Sequence, residues 1–140
     1  NSRLDEFNSY LLDFKLKKVD SFIQKRRKLA KLYQKLLENT SLFLPQISKI
    51  HFEVFHLYTV YHPKRDLIVH ELKKKGIQTR VIYPYPIHKM KAYKNYFTKK
   101  KFKKSEMKSR GIFSLPLYPE LNETEVRKIC KILTKILNNV

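Results

Sequence analysis

Five histidines, one cysteine and 24 lysines are the side chains of this 140-residue chain that could do chemistry. The histidines are His51, His56, His62, His70 and His88. No Cys-x-x-Cys or His-Glu-x-x-His gathers them at metal-ligand spacing. His51 and His56 stand five apart in a stretch that reads as a strand, which puts them on opposite faces. No metal site is assigned. Cys130 lies on the apolar stripe of a helix, where burial raises a thiol pKa and keeps it inert, so it is assigned to the core. With only Gly76 and Gly111 there is no glycine-rich phosphate loop. The lysines fall in runs on solvated faces, whereas an imine-forming lysine must be desolvated or set beside other cations. The run Lys99-Lys100-Lys101-Phe102-Lys103-Lys104, with Phe97 nearby, could meet nucleic-acid phosphates and stack bases. The alternative is a solvated surface loop anchored by its two aromatics. No catalytic residue is assigned in this chain.

These side chains need elements to hold them. Apolar residues at Leu4, Phe7, Leu11, Phe14, Val19, Phe22, Leu29, Tyr33 and Leu36 form one helical stripe and predict a long helix over residues 3–38. Ser2 is its expected N-cap, and the stripe is least regular at Lys17-Lys18. A helix this long needs a partner surface along its length, so part of it is expected to pack outside the domain. A strand is expected over residues 52–61, a short helix over 64–75 capped by Gly76, and a second strand over 77–83. Pro84 and Pro86 then hold the next residues extended. Two short helices are expected within residues 89–110, a third strand over 112–115, and a last helix with Asn122 as N-cap and Glu125 three residues on. Val126, Ile129, Cys130, Leu133 and Ile136/Leu137 would form its buried face. The fold class is therefore α/β of the α+β type: a small three-stranded antiparallel or mixed sheet covered by helices, with residues 1–140 as one domain.

Composition narrows the setting. A chain with 42% hydrophobic residues can fold around a core, and 140 residues suit one domain. No apolar run approaches the ~20 residues of a membrane span. The single cysteine fits a reducing cytoplasm. The chain opens at Asn1 without a Met, from which a fragment or a processed product is expected. A net charge of +19 would draw nucleic acid or anionic membrane. Yet the charge is spread along every segment, and 24 lysines against 7 arginines leave few of the side chains that read bases. A basic nucleic-acid-binding module and a non-enzymatic interaction domain are the alternative readings.

Four segments together point elsewhere. Asn1-Ser2-Arg3-Leu4-Asp5-Glu6 and Lys25-Arg26-Arg27-Lys28-Leu29-Ala30-Lys31-Leu32-Tyr33 form the first helix. His56-Leu57-Tyr58 lies in the first strand. Gly76-Ile77-Gln78-Thr79-Arg80-Val81-Ile82-Tyr83-Pro84-Tyr85-Pro86-Ile87-His88 follows, and Ser114-Leu115-Pro116-Leu117-Tyr118-Pro119-Glu120-Leu121 precedes the last helix. In this order and spacing the chain resembles the C-terminal small domain of the DegT/StrS-type nucleotide-sugar aminotransferases. The resemblance implies a fold-type-I dimer using pyridoxal phosphate (PLP), which moves an amino group, usually from glutamate, to a keto nucleotide-sugar for surface polysaccharide. A large domain, or a split-gene partner, would supply the PLP lysine, and this chain alone would bind no PLP. By position, Asn1 and Arg3 would reach the cofactor phosphate. Tyr83, Tyr85 and His88 would face the sugar. Ser21-Phe22-Ile23-Gln24-Lys25 is similar to the sequence before a PLP lysine, but it lies mid-helix with Phe22 on the core stripe and is set aside. Ile82 stands where many members have a histidine.

Overall fold

The computed structural model describes residues 3–48, 50–97 and 101–140. Among the described residues, five α-helices and two strands run in the order α1 (Glu6–Leu16), α2 (Val19–Leu37), β1 (Tyr58–Tyr61), α3 (Arg65–Lys74), α4 (Lys103–Gly111), β2 (Ile112–Leu115) and α5 (Glu123–Asn138). Two 3-10 helices, Ile87–Lys89 and Lys91–Phe97, lie between α3 and α4.

The expected long N-terminal helix is two helices. The chain turns at Lys17-Lys18, where the apolar stripe falters. Lys17 pairs with Asp13 at 2.8 Å, and the Lys18 ammonium sits 4.4 Å from the centre of the Phe14 ring. The N-cap is Asp5, whose carboxylate accepts from the Asn8 N–H at 2.8 Å. Ser2, expected in that role, lies outside the described residues.

Only the amphipathic helices that meet the sheet bury their stripes. Helix α2 contributes Leu29, Ala30, Tyr33 and Leu37, and α5 contributes Val126, Ile129, Cys130, Leu133 and Leu137. The two pack together, and α3 also packs on α5. Tyr58 and Val60 of β1, Phe113 and Leu115 of β2, and Ile68 and Leu72 of α3 join them in the core. Each such side chain removed from water stabilises by roughly 1.5–3 kcal/mol. Tyr33 stacks on Tyr58 with ring centroids 5.0 Å apart. Buried hydroxyls need partners: Tyr33 donates to the Pro116 carbonyl at 2.9 Å, and Tyr58 donates to Gln34 Oε1 at 3.2 Å. Asn122 and Glu125 form the expected reciprocal cap of α5. Gly76, at φ +74°, ends α3 with the Gly76 N–H bonded to the Lys73 carbonyl and Ile77 N–H to Leu72.

The sheet corrects the expectation of three strands. It has two, antiparallel, with Tyr58 opposite Leu115 and Tyr61 opposite Ile112. The strand expected over residues 77–83 contributes one bridge, Arg80 to Ser114. The Ile77 N–H is taken by the α3 cap at one end of that stretch, and Pro84 has no N–H at the other. The first strand begins at Tyr58 instead of Phe52. Residues ahead of it give their carbonyls to α2: Arg26 Nε donates to Val54 at 3.2 Å and Arg27 Nη1 to Glu53 at 2.6 Å. Phe55, at φ +48°, breaks the extended path. His51 and His56 therefore lie in an irregular loop, so the strand-face argument does not govern them.

Candidate functional site

The segment from Arg80 to Phe97 leaves the sheet after the Arg80–Ser114 bridge and folds back on itself. Pro84 and Pro86 fix its φ angles, and two short 3-10 helices follow. Its backbone hydrogen bonds past the bridge are local, such as Lys89 N–H to the Pro86 carbonyl at 2.9 Å. Tyr83 and Tyr85 are 61% and 67% exposed, open to stack on a ligand ring. His88 is different: its side chain is only 9% exposed. Its Nε2–H donates to Glu106 Oε1 at 3.1 Å, and its ring leans on Phe102 with centroids 4.7 Å apart. Lys89 Nζ donates to the other carboxylate oxygen of Glu106 at 2.8 Å. The Lys89 ammonium, and after it the His88 ring, hold the Glu106 carboxyl down at about 2.

The expected site residues are only partly brought together. Tyr83, Tyr85 and His88 share one segment by sequence. Arg3 sits exposed ahead of α1, and among the described residues it makes no hydrogen bond or ion pair with that segment. Asn1 lies outside the described residues, as do Lys99 and Lys100 of the basic run. In the remainder of that run Phe102 is engaged by His88 and by Phe97, the latter edge-on at 5.8 Å.

Sequence reasoning missed Glu106. The signal was present, since Glu106 is the single acidic residue between Lys89 and Arg110. It also missed a groove of about 700 Å³ where two of the recognised motifs meet. Residues of the 76–82 stretch form one wall, and residues 114–121 form another. Arg26, Arg80 and Lys128 give it a basic rim over an apolar floor that includes Ile77 and Leu115.

PLP chemistry makes a further demand: a desolvated lysine for the imine. Every lysine whose side chain is described is exposed, Lys25 included. Cys130 is buried, and burial pushes its thiol up to about 12, so it offers no nucleophile. Among the described residues no group of three His, Cys, Asp or Glu side chains could hold a metal ion. The described residues do not fit PLP as an imine site, and no step through it is derived from them.

Comparison with known proteins locates this arrangement. The chain is 33% identical over 135 residues to a dTDP-3-amino-3,6-dideoxy-alpha-D-galactopyranose transaminase of Aneurinibacillus thermoaerophilus, covering 96% of this chain and 37% of that protein. Its fold matches a DegT DnrJ EryC1 StrS aminotransferase from Brucella abortus with a TM-score of 0.90 at 27% identity, over 98% of this chain and 37% of that one. Helicobacter pylori PseC, an aminotransferase involved in the biosynthesis of pseudoaminic acid, matches with a TM-score of 0.88 at 29% identity, over 100% and 39%. The chain thus spans little more than a third of the length of these relatives. Residues 1–134 match the DegT/DnrJ/EryC1/StrS aminotransferase family across the helices, the sheet and the 83–88 segment alike. The chain belongs to the DegT/DnrJ/EryC1/StrS aminotransferase family.

Proposed function

We propose that this chain is the C-terminal small domain of a longer, PLP-dependent, dimeric aminotransferase of the cytoplasm, which acts on a keto nucleotide-sugar in surface-polysaccharide synthesis. The observation that carries the reading is the fit of nearly the whole chain to about a third of a sugar aminotransferase. The open apolar side of α1 adds support. Phe7, Leu11 and Phe14 share one face there and are all exposed, a stripe too apolar to be left to water in a complete protein. A large domain covers it in this reading and brings the lysine that these residues lack.

In the complete enzyme glutamate gives up its amino group and leaves as 2-oxoglutarate, while the sugar ketone becomes an amine and its oxygen departs as water. PLP would supply the electron sink for both halves. Asn1 and Arg3 are the groups of this chain assigned to the cofactor phosphate, where an amide or guanidinium N–H meets anionic oxygen. Tyr83, Tyr85 and His88 are assigned to the nucleotide-sugar, the two tyrosines by their open ring faces. Ile82, on the same segment, offers the sugar no hydrogen bond.

The test uses the longer polypeptide that carries this chain. Given PLP, glutamate and a nucleotide-linked keto sugar, it is expected to release 2-oxoglutarate in step with amino-sugar, and the 140-residue chain alone is expected to release none. No 2-oxoglutarate from the longer polypeptide with any 3- or 4-keto nucleotide-sugar overturns the reading.

A further inference from the structure

No residue from Ile82 to Phe97 whose side chain is described belongs to the apolar core, so the segment that carries Tyr83, Tyr85 and His88 has no anchor there. Its backbone bonds beyond Arg80 stay within the segment. Something else must hold it, or the two tyrosines would sample many poses, and ordering them would fall to the ligand.

Glu106 is the group in place to do this. It sits in the first turn of α4, where the helix dipole favours a carboxylate. Its backbone N–H is fixed to the Phe102 carbonyl at 3.0 Å, so the side chain starts from a rigid base. Each carboxylate oxygen takes one charged or chargeable donor from the 3-10 turn, His88 at 3.1 Å and Lys89 at 2.8 Å. Phe102, the N-cap of the same helix, closes on the His88 ring. Two adjacent residues of the segment are thus tied to one turn of a helix that runs directly into β2, which is core structure.

We infer that Glu106 is a positioning residue: through His88 and Lys89 it fixes the 83–88 segment to α4 and so sets the pose of Tyr83 and Tyr85. That this pose serves a nucleotide-sugar rests on the reading given under "Proposed function"; the brace itself does not.

The geometry also says which nitrogen of His88 is committed. A carboxylate only accepts, so Nε2 carries the proton toward Glu106, and Nδ1 is the acceptor of the neutral ring. The brace therefore orients the ring as well as holding it.

The test is amide hydrogen exchange on this chain with Glu106→Gln, which keeps the shape and removes the charge, and with Lys89→Gln as a second variant. A Gln amide can accept from only one of the two donors and presents N–H to the other. Glu106→Gln is expected to speed exchange over residues 87–97 by on the order of tenfold while α5 keeps its protection, with a smaller rise for Lys89→Gln. Exchange in that segment within about twofold of the wild-type chain overturns the inference, as does an equal loss of protection in α5, which would make Glu106 a general stabiliser. In the longer polypeptide, Glu106→Gln is expected to raise KM for the nucleotide-sugar more than it lowers kcat. Faster exchange without a change in KM leaves the brace standing and removes the substrate role of the segment.

Discussion

Helices α1 and α2 follow one another in the chain and both carry apolar residues at helical spacing, yet α2 buries four residues and α1, whose apolar residues spread over more than one face, buries none. Leu29, Tyr33 and Leu37 are buried against α5 and the sheet, while Phe7, Leu11 and Phe14 stay exposed among the described residues. Amphipathic spacing says that a helix has a face to cover. It does not say whose surface covers it. The turn at Lys17-Lys18 separates a helix that belongs to this core from one whose apolar residues stay exposed.

Mutations can break that contrast. Leu37→Ala in α2 leaves a cavity at a site with no exposure and is expected to cost roughly 2–5 kcal/mol, read as a lower urea midpoint. A loss below 1 kcal/mol would mean that the α2 face packs no better than that of α1. Gly111→Ala probes the joint between α4 and β2. A Cβ there would stand 2.3 Å from Tyr61 Cε2 and 2.7 Å from the His62 carbonyl oxygen, with backbone on one side. The overpacking is expected to cost about 1–3 kcal/mol, and an unchanged melting temperature would show that the joint can open.

A pH series separates the packed half in another way. His62, 8% exposed, accepts the Lys64 N–H through Nδ1 at 3.1 Å, so its proton sits on Nε2, 3.3 Å from Ser41 Oγ. Desolvation first, and the nearby Lys64 charge second, hold its pKa below the ordinary histidine value. The unfolded chain then binds the extra proton more readily than the folded one. The stability due to neutral His62 is complete above about pH 6.5 and is lost as the pH falls below it. Unfolding midpoints are expected to drop between pH 7.5 and 5, and His62→Asn is expected to shrink that drop. An equal drop in the variant would place the acid sensitivity elsewhere. The smallest effect belongs to α1. Phe7→Ser, at a residue 76% exposed, is expected to change the stability of this chain by less than about 0.5 kcal/mol. A cost above 1 kcal/mol would show that α1 already has a surface to pack on, and the contrast with α2 would fall.

How much of this was legible beforehand varies by element. The α5 cap reads directly from Asn122 and Glu125, because capping is decided within four residues. Gly76 likewise announces the end of α3, since a left-handed residue is needed there. The strands were less legible. Residues 52–57 have strand-like composition, but Arg26 and Arg27, far away in sequence, took the carbonyls that a strand would have used. The candidate site divides in the same manner. Tyr83 and Tyr85 stand between and beside prolines that keep them extended, and the family motif names them. Glu106 belongs to no recognised motif, and nothing short of the folded chain brings it to a histidine eighteen residues earlier.

By itself the sequence determined the family, the helical periods, the caps and the absence of a glycine-rich phosphate loop. Each of these is carried by residue types at fixed local spacing. Only the tertiary structure decided that the sheet has two strands, that α1 is left uncovered and that His88 is tied to Glu106. Those outcomes depend on which distant groups compete for the same carbonyls, apolar faces and charges, and no local spacing records that competition.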